Sequence, residues 1–124
     1  MGSVGETLAF GNWAYLKPSD HKWWKANAGA AATAIEPLGV ALGSIGTAAA
    51  GTIMRVGLYR SDSGFGGAVT DGTPAFLATS AGEITATAPS GATEIIRAIG
   101  HFRSPDGSAR MVDVNPDNIW VEHT

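Results

Sequence analysis

Two hexapeptides constrain this chain more than anything else in it: Gly11-Asn12-Trp13-Ala14-Tyr15-Leu16 and Gly72-Thr73-Pro74-Ala75-Phe76-Leu77. Both read G-x-x-A-aromatic-L, and they stand 61 positions apart. The same offset pairs Ser19 with Ser80, Trp23 with Ile84, Ile35 with Ile96, Leu38 with Ile99 and Gly39 with Gly100. A chance echo does not usually carry its downstream partners without an insertion. The expectation is two tandem pseudo-repeats packed as one body. Residues 1–7 form a flexible arm, 8–60 the first repeat, 61–71 a linker and 72–124 the second repeat. One copy alone would be near the lower size limit for independent folding, whereas 124 residues can bury a modest core.

Turn signals recur every eight to twelve residues, which predicts an all-β sandwich or barrel. Residues 10–16 read as a first strand, with Trp13 and Tyr15 on one face and Ala14 and Leu16 on the other. Lys17-Pro18-Ser19-Asp20 is a turn, and residues 22–26 return as a hairpin partner. The Ala-rich stretch 27–34 lacks a cap or an amphipathic stripe and reads as a connection. Strands follow at 35–42, where Pro37 suggests an edge or a bulge, and at 52–60. In the second half, strands are expected at 73–78, 83–88, 94–103, 109–114 and 119–122, with a further short one at 68–70. Turns fall at 81–82, 104–107 and 115–118. Residues 37–54 carry no charge, but Pro37, Gly39, Gly43, Gly46 and Gly51 break the run, so strand-turn-strand is preferred to a membrane span. No signal peptide is visible in residues 1–10.

Composition narrows the function classes. The net charge is −3, and the eight Lys and Arg are dispersed, which argues against nucleic acid as a partner. With no cysteine, disulfides and thiolate metal sites are excluded. Charged residues make up only 15%, leaving little to solubilise a free monomer, so part of the surface is expected to be covered by a partner.

A search for chemistry returns no reaction. No serine sits in a G-x-S-x-G elbow, and His21, His101 and His123 have no metal-ligand spacing. Asp113-x-Asn115-x-Asp117-Asn118 starts like a calcium loop. It has Asn118 where that loop needs Gly and Thr124 where it needs a bidentate Glu, so a turn held by Asx side chains explains it better. Ser63-Gly64-Phe65-Gly66-Gly67 lacks the Lys-Ser/Thr of a phosphate cradle. The reading is therefore non-enzymatic, without cofactor or metal. The aromatic residues remain. Trp13, Tyr15, Trp23 and Trp24 crowd one hairpin, with Phe65 and Trp120 outside it, and all six are candidates for a protein interface. Of Trp23 and Trp24, adjacent on a strand, one is expected in the core and the other toward a partner or solvent. A sugar-stacking platform is the competing use.

Gly72-Thr73-Pro74-Ala75-Phe76-Leu77, Ala81-Gly82-Glu83-Ile84-Thr85-Ala86-Thr87-Ala88-Pro89, Ile99-Gly100 and Asn115-Pro116-Asp117-Asn118-Ile119-Trp120 occur in that order. Together they resemble a composite pattern of small tailed-bacteriophage virion proteins of the capsid-decoration (cement) or head-fibre kind. The first half, with Trp23-Trp24-Lys25-Ala26 and Leu38-Gly39-Val40-Ala41, looks like a companion copy. The resemblance spans roughly residues 8–122 by the same loose pattern reading, and departs from it at His101-Phe102, where an aromatic-then-aliphatic pair is commoner. It implies a structural protein on the capsid exterior of a virion, made in the host cytoplasm. Such a protein docks on the major capsid protein and on itself, with a homotrimer favoured, and has no nucleic-acid or membrane partner. The alternative is a tail, fibre or baseplate protein that binds a host glycan through Trp13, Trp23 or Trp24.

Overall fold

A computed structural model describes residues 2–60, 65–66, 70–103, 111–117 and 119–123. The protein is nearly all-β, with several antiparallel sheets in the manner of a β-sandwich. Helical structure among the described residues is one short turn, Ala31–Thr33, in the stretch expected to be a connection.

The first half builds a four-stranded sheet from β2 (Trp13–Lys17), β3 (Lys22–Lys25), β4 (Leu38–Ala41) and β6 (Ile53–Met54), in the order β3-β2-β4-β6. β1 (Gly2–Ser3) pairs with β5 (Ala50–Gly51), and Val4 makes a parallel bridge to Trp23 on β3. The start of the chain therefore spans the two ends of that sheet. The second half contributes most of a six-stranded sheet: β7 (Gly57–Arg60), β8 (Phe65–Gly66), β9 (Pro74–Leu77), β10 (Ile84–Thr85), β12 (Ala98–Arg103) and β13 (Met111–Val114). Their order is β7-β13-β12-β9-β10-β8. A two-stranded ribbon joins β11 (Ile95–Ile96) to β14 (Val121–Glu122).

Side-chain alternation along β2 explains how the layers stack. Trp13 and Tyr15 enter a core shared with Leu38, Val40 and, from the six-stranded sheet, Leu77, Ile99, Phe102, Val112 and Val114. Ala14 enters a second core with Val4, Leu8, Trp23, Ala41 and Ile45, against which Leu16 packs. The four-stranded sheet thus has apolar side chains on both faces, and all four residues of β4 are buried. Such a strand reads as a continuous apolar run rather than an alternating one.

Backbone pairings recur across the halves at the 61-residue spacing. Tyr15↔Trp24 and Leu16↔Trp23 correspond to Phe76↔Thr85 and Leu77↔Ile84. Trp13↔Val40 and Ala14↔Gly39 correspond to Pro74↔His101 and Ala75↔Gly100. The parallel bridge Val4↔Trp23 corresponds to Phe65↔Ile84. Gly11 donates to Ala41 O as Gly72 does to Phe102 O. The hairpin turns place His21 (φ 57°) and Gly82 (φ 80°) in the left-handed region at the same relative position. The outer strand departs from this spacing by two residues: Val40↔Met54 matches His101↔Asp113.

Backbone bonds also run between the halves. Trp13 N donates to Gly82 O, Gly82 N to Ala26 O, Ala28 N to Ala78 O and Ile95 N to Ala28 O. The β9–β10 turn is thereby stitched to the base of β2, and residues 26–28 lie between both halves.

Several expectations are corrected. Residues 2–7 are not a loose arm: Val4 is fully buried, and the Glu6 carboxylate accepts from Lys25 N. Small polar composition hid this, because only closure across β1, β3 and β5 gives Val4 a core to enter. The single strand expected over 52–60 divides into β6 and β7, which join different sheets. The long strand expected over 94–103 breaks at Arg97 into β11 and β12. Pro37 precedes β4, where its carbonyl accepts from Leu16 N. The expected turn at 104–107 and most of the expected strand at 68–70 lie outside the described residues, as does most of the linker 61–71.

Two outcomes follow for stability. Gly100 adopts φ +145°, and a β-carbon there would meet the Asp113 carbonyl, so Gly100→Ala is expected to lose roughly 1–3 kcal/mol in urea unfolding. Deleting residues 1–7 removes Val4 from the second core and is expected to lower stability by at least about 1.5–3 kcal/mol in the same measurement.

Candidate functional site

The six aromatic candidates separate once the chain is folded. Trp13 is fully buried, and its indole N–H donates to the Tyr59 hydroxyl at 3.0 Å across the shared core. Tyr15 and Trp23 are each only 8% exposed, one in each core. These three spend their surface on the chain's own interior. A ring sunk in a core stacks on neither a sugar nor a partner, so Trp13 and Trp23 do not form a platform.

Trp24 is half-buried at the border of the shared core. Its indole N–H donates to Asp20 Oδ2 at 3.1 Å, and Lys17 Nζ lies 4.9 Å from the ring centroid. A cation over an indole face is held by the ring quadrupole. The alternation expected of adjacent tryptophans holds here: Trp23 enters one core, while Trp24 faces the other and reaches the surface. The Asp20 carboxyl feels a desolvation that raises its pKa. The Lys22 amide, the Trp24 indole and the Lys17 and Lys22 charges outweigh this and leave it below the ordinary carboxylate range. Phe65 is placed by its backbone, in parallel with Ile84.

Of the five whose side chains are described, Trp120 alone stands well exposed, at 39%. It sits within an exposed run with Ile119 and Val121, and Val56, just before β7, and Leu58, within it, are exposed as well. Among the described residues these five are most of the large hydrophobic side chains left in water, with Phe10 and Leu42 the others.

Two residues central to the interior were not singled out by the sequence. Tyr59 bridges the sheets, also meeting Phe10 edge to face at 6.2 Å between ring centroids. Burial pushes its phenol up to about 12, against the hydrogen bond from Trp13, which lowers it. Arg97 is 3% exposed and acts as a clamp. It donates to Ala34 O at 2.8 Å, Glu36 O at 2.6 Å and Asp117 O at 2.9 Å, tying the turn before β4 to the segment after β13. Burial, aided by the Arg55 charge, holds its pKa below the ordinary value, while Asp117 and Glu36 act the other way. Each partner lies 20 to 63 positions away, so no local motif could have announced it.

Beside Arg97 lies a cleft of about 350 Å³, walled by Pro37, Leu38, Arg55, Val56, Asn115 and Pro116 among others. Its guanidinium is already committed to three carbonyls. Among the described residues, no group of three or more His, Asp or Glu is placed to hold a metal ion. The backbone at Asn115 and Asp117 bonds to Ile99 O and Ala98 O, continuing the β12–β13 pairing through the segment that resembled a calcium loop. No helix among the described residues is long and apolar enough to cross a membrane.

No protein-family model matches the chain, and no curated protein shows significant sequence similarity to it.

The Tyr59 phenol offers a test of the interior. Its pKa is raised above the unfolded value of 10.0, so the neutral form is the one the fold favours. That stabilisation is fully present below about pH 10 and disappears as pH rises to about 12, a loss of about 2–3 kcal/mol. Tyr59→Phe leaves the Trp13 donor unpaired and is expected to lose about 1–3 kcal/mol at neutral pH while flattening the alkaline slope. Denaturant titrations at pH 7 and through pH 9–12 measure both.

Proposed function

We propose that this chain is a non-enzymatic structural protein of a tailed-bacteriophage virion, docking on the outside of the assembled capsid and stabilising it. In this reading it acts as a decoration or cement protein and works as a homo-oligomer, with a trimer favoured by the resemblance. The halves are copies of one β unit. The recurrence of strand pairing at the 61-residue spacing supports the duplication.

One observation carries the functional reading: apolar side chains stay exposed along β7 and β14 and their lead-ins, while the aromatic hairpin is spent indoors. A protein of 15% charged residues that leaves Val56, Leu58, Ile119, Trp120 and Val121 wet is shaped for contact with other protein. Repeated weak contacts on a lattice hold such a subunit by avidity, without one strong site. The major capsid protein is the partner this implies.

The glycan-binding alternative, on a tail, fibre or baseplate, retains only Trp120 and the exposed part of Trp24 as stacking surfaces. It loses the flat tryptophan platform that motivated it, and so ranks second.

Capsids of the encoding phage, assembled without this protein, provide the test. Added protein is expected to bind at saturable, lattice-repeated occupancy and to raise the temperature at which the shells disrupt. Shells that take up none of it and disrupt at an unchanged temperature overturn the capsid role. Tryptophan fluorescence that responds to host polysaccharide instead would favour the second reading.

A further inference from the structure

β6 and β14 are among the strands that stand at a sheet edge in the described residues. β6 pairs with β4 and has no strand beyond it; β1 covers the adjoining Ala50 and Gly51 but stops short of β6. β14 pairs with β11 and likewise has no outer neighbour. The β14 segment is apolar and wet, with Ile119 78%, Trp120 39% and Val121 58% exposed. Successive side chains of a strand point to opposite faces, so this segment is uncovered on both. It also lacks the Lys or Pro with which edges are usually guarded, and such an edge is a template for another chain.

The protein contains its own example of how an edge like β6 is closed. β7 lies along the outer side of β13, antiparallel, from Gly57↔Val114 to Arg60↔Met111. The 61-residue spacing carries Leu58, Tyr59 and Arg60 onto Ile119, Trp120 and Val121. The match of Met54 with Asp113 carries the covered edge of β13 onto β6. Transferred, the pairing sets Ile119 opposite Met54, Trp120 opposite Ile53 and Val121 opposite Thr52. Trp120 then stands where Tyr59 stands, and Tyr59 is buried between sheets.

Among the described residues no strand of the same molecule covers the outer side of β6. The molecule's own β14 is held at both ends, beside β11: Asp117 N donates to Ala98 O and His123 N to Glu94 O, and Arg97 Nε donates to Asp117 O. Charge points to a second copy in one orientation. Residues 1–60 hold five Lys and Arg and three Asp and Glu, net +2. Residues 61–124 hold three and eight, net −5. Like halves of two copies repel and unlike halves attract, which favours head-to-tail contact over a symmetric one.

We propose that β14 of one copy, still paired to its β11, adds antiparallel to the β6 edge of a second copy, joining positive first half to negative second half. Such an interface is heterologous, so it closes into a ring where the rotation permits and otherwise extends as a filament. The inference rests on strand pairing and charge, and stands whether or not the protein belongs to a capsid.

The chain has no cysteine, and Thr52 and Val121 are both exposed, so cross-linking is clean. Chains carrying Thr52→Cys are mixed with chains carrying Val121→Cys and mildly oxidised. A mixed disulfide in clear excess over the homodimers of either variant, diminishing at high salt, is expected. Absence of the mixed species overturns the proposal. So does an intramolecular bridge formed in dilute solution by one chain carrying both substitutions. In sedimentation, the unmodified protein is expected to associate with rising concentration, and Ile119→Lys with Val121→Lys to sediment as a monomer with an unchanged circular-dichroism spectrum. Association that survives those two lysines also overturns it.

Discussion

The hydrogen bond from the Trp13 indole to the Tyr59 hydroxyl joins a strand of the four-stranded sheet to one of the six-stranded sheet, in the middle of the core they share. Its donor and acceptor are the polar tips of two large rings that are otherwise packed in apolar surroundings. A buried tip of this kind must find a partner, and each here is the other's. The rest of the arrangement depends on that pairing. Because Trp13 faces the six-stranded sheet, Ala14 must face the other way, into the core closed by Val4, Leu8 and Ile45. The first sheet consequently has no wet face, and small residues such as Ala14, Gly39 and Ala41 permit close approach on its inner side. At Gly39, for example, a β-carbon would run into the Ile53 side chain.

The parts of this fold set by short-range pattern were legible in the sequence. Alternation placed Trp13 and Tyr15 together against Ala14 and Leu16, and it separated Trp23 from Trp24. Turn chemistry located the hairpins at Pro18–Asp20 and at Gly82. What escaped was whatever depends on distant chain. Val4 looked like part of a loose polar arm because its core is assembled from residues up to Ile45. Arg97 sat within a plausible strand, and only three carbonyls from elsewhere turn it into a clamp that interrupts that strand. Tyr59 followed an alternation correctly read as β, but its partner lies 46 positions earlier. Of the interface candidates, Trp13, Tyr15 and Trp23 proved to be interior residues. Aromatic enrichment marks cores and contacts alike, and sequence alone does not say which side of a sheet will be dry.

The ionisable groups with displaced equilibria among the described residues are two phenols, Tyr15 and Tyr59, a structural guanidinium and a turn carboxylate, each explained by its packing, its hydrogen bonds or nearby charges. None faces a cleft together with a nucleophile. Most of the large apolar side chains exposed among the described residues, by contrast, are grouped at two places: Val56 and Leu58, and residues 119–121. One of those segments already lies along a neighbouring sheet edge within the chain. The other pairs with β11 through Val121–Glu122, and like β7 it has no second neighbour among the described residues.

The stitching bonds at Trp13, Ala28, Gly82 and Ile95, together with the Arg97 clamp, unite residues that are far apart in sequence. Neither half can satisfy these amides and carbonyls until the other has been made, so the stabilisation that they and the shared core supply does not accrue to an early fragment. Loop-closure entropy must be overcome before those contacts repay it, which places this chain among slowly folding, high-contact-order topologies. During that interval the apolar strand segments lie bare. The low share of charged residues leaves the nascent chain little electrostatic protection against sticking to its own kind.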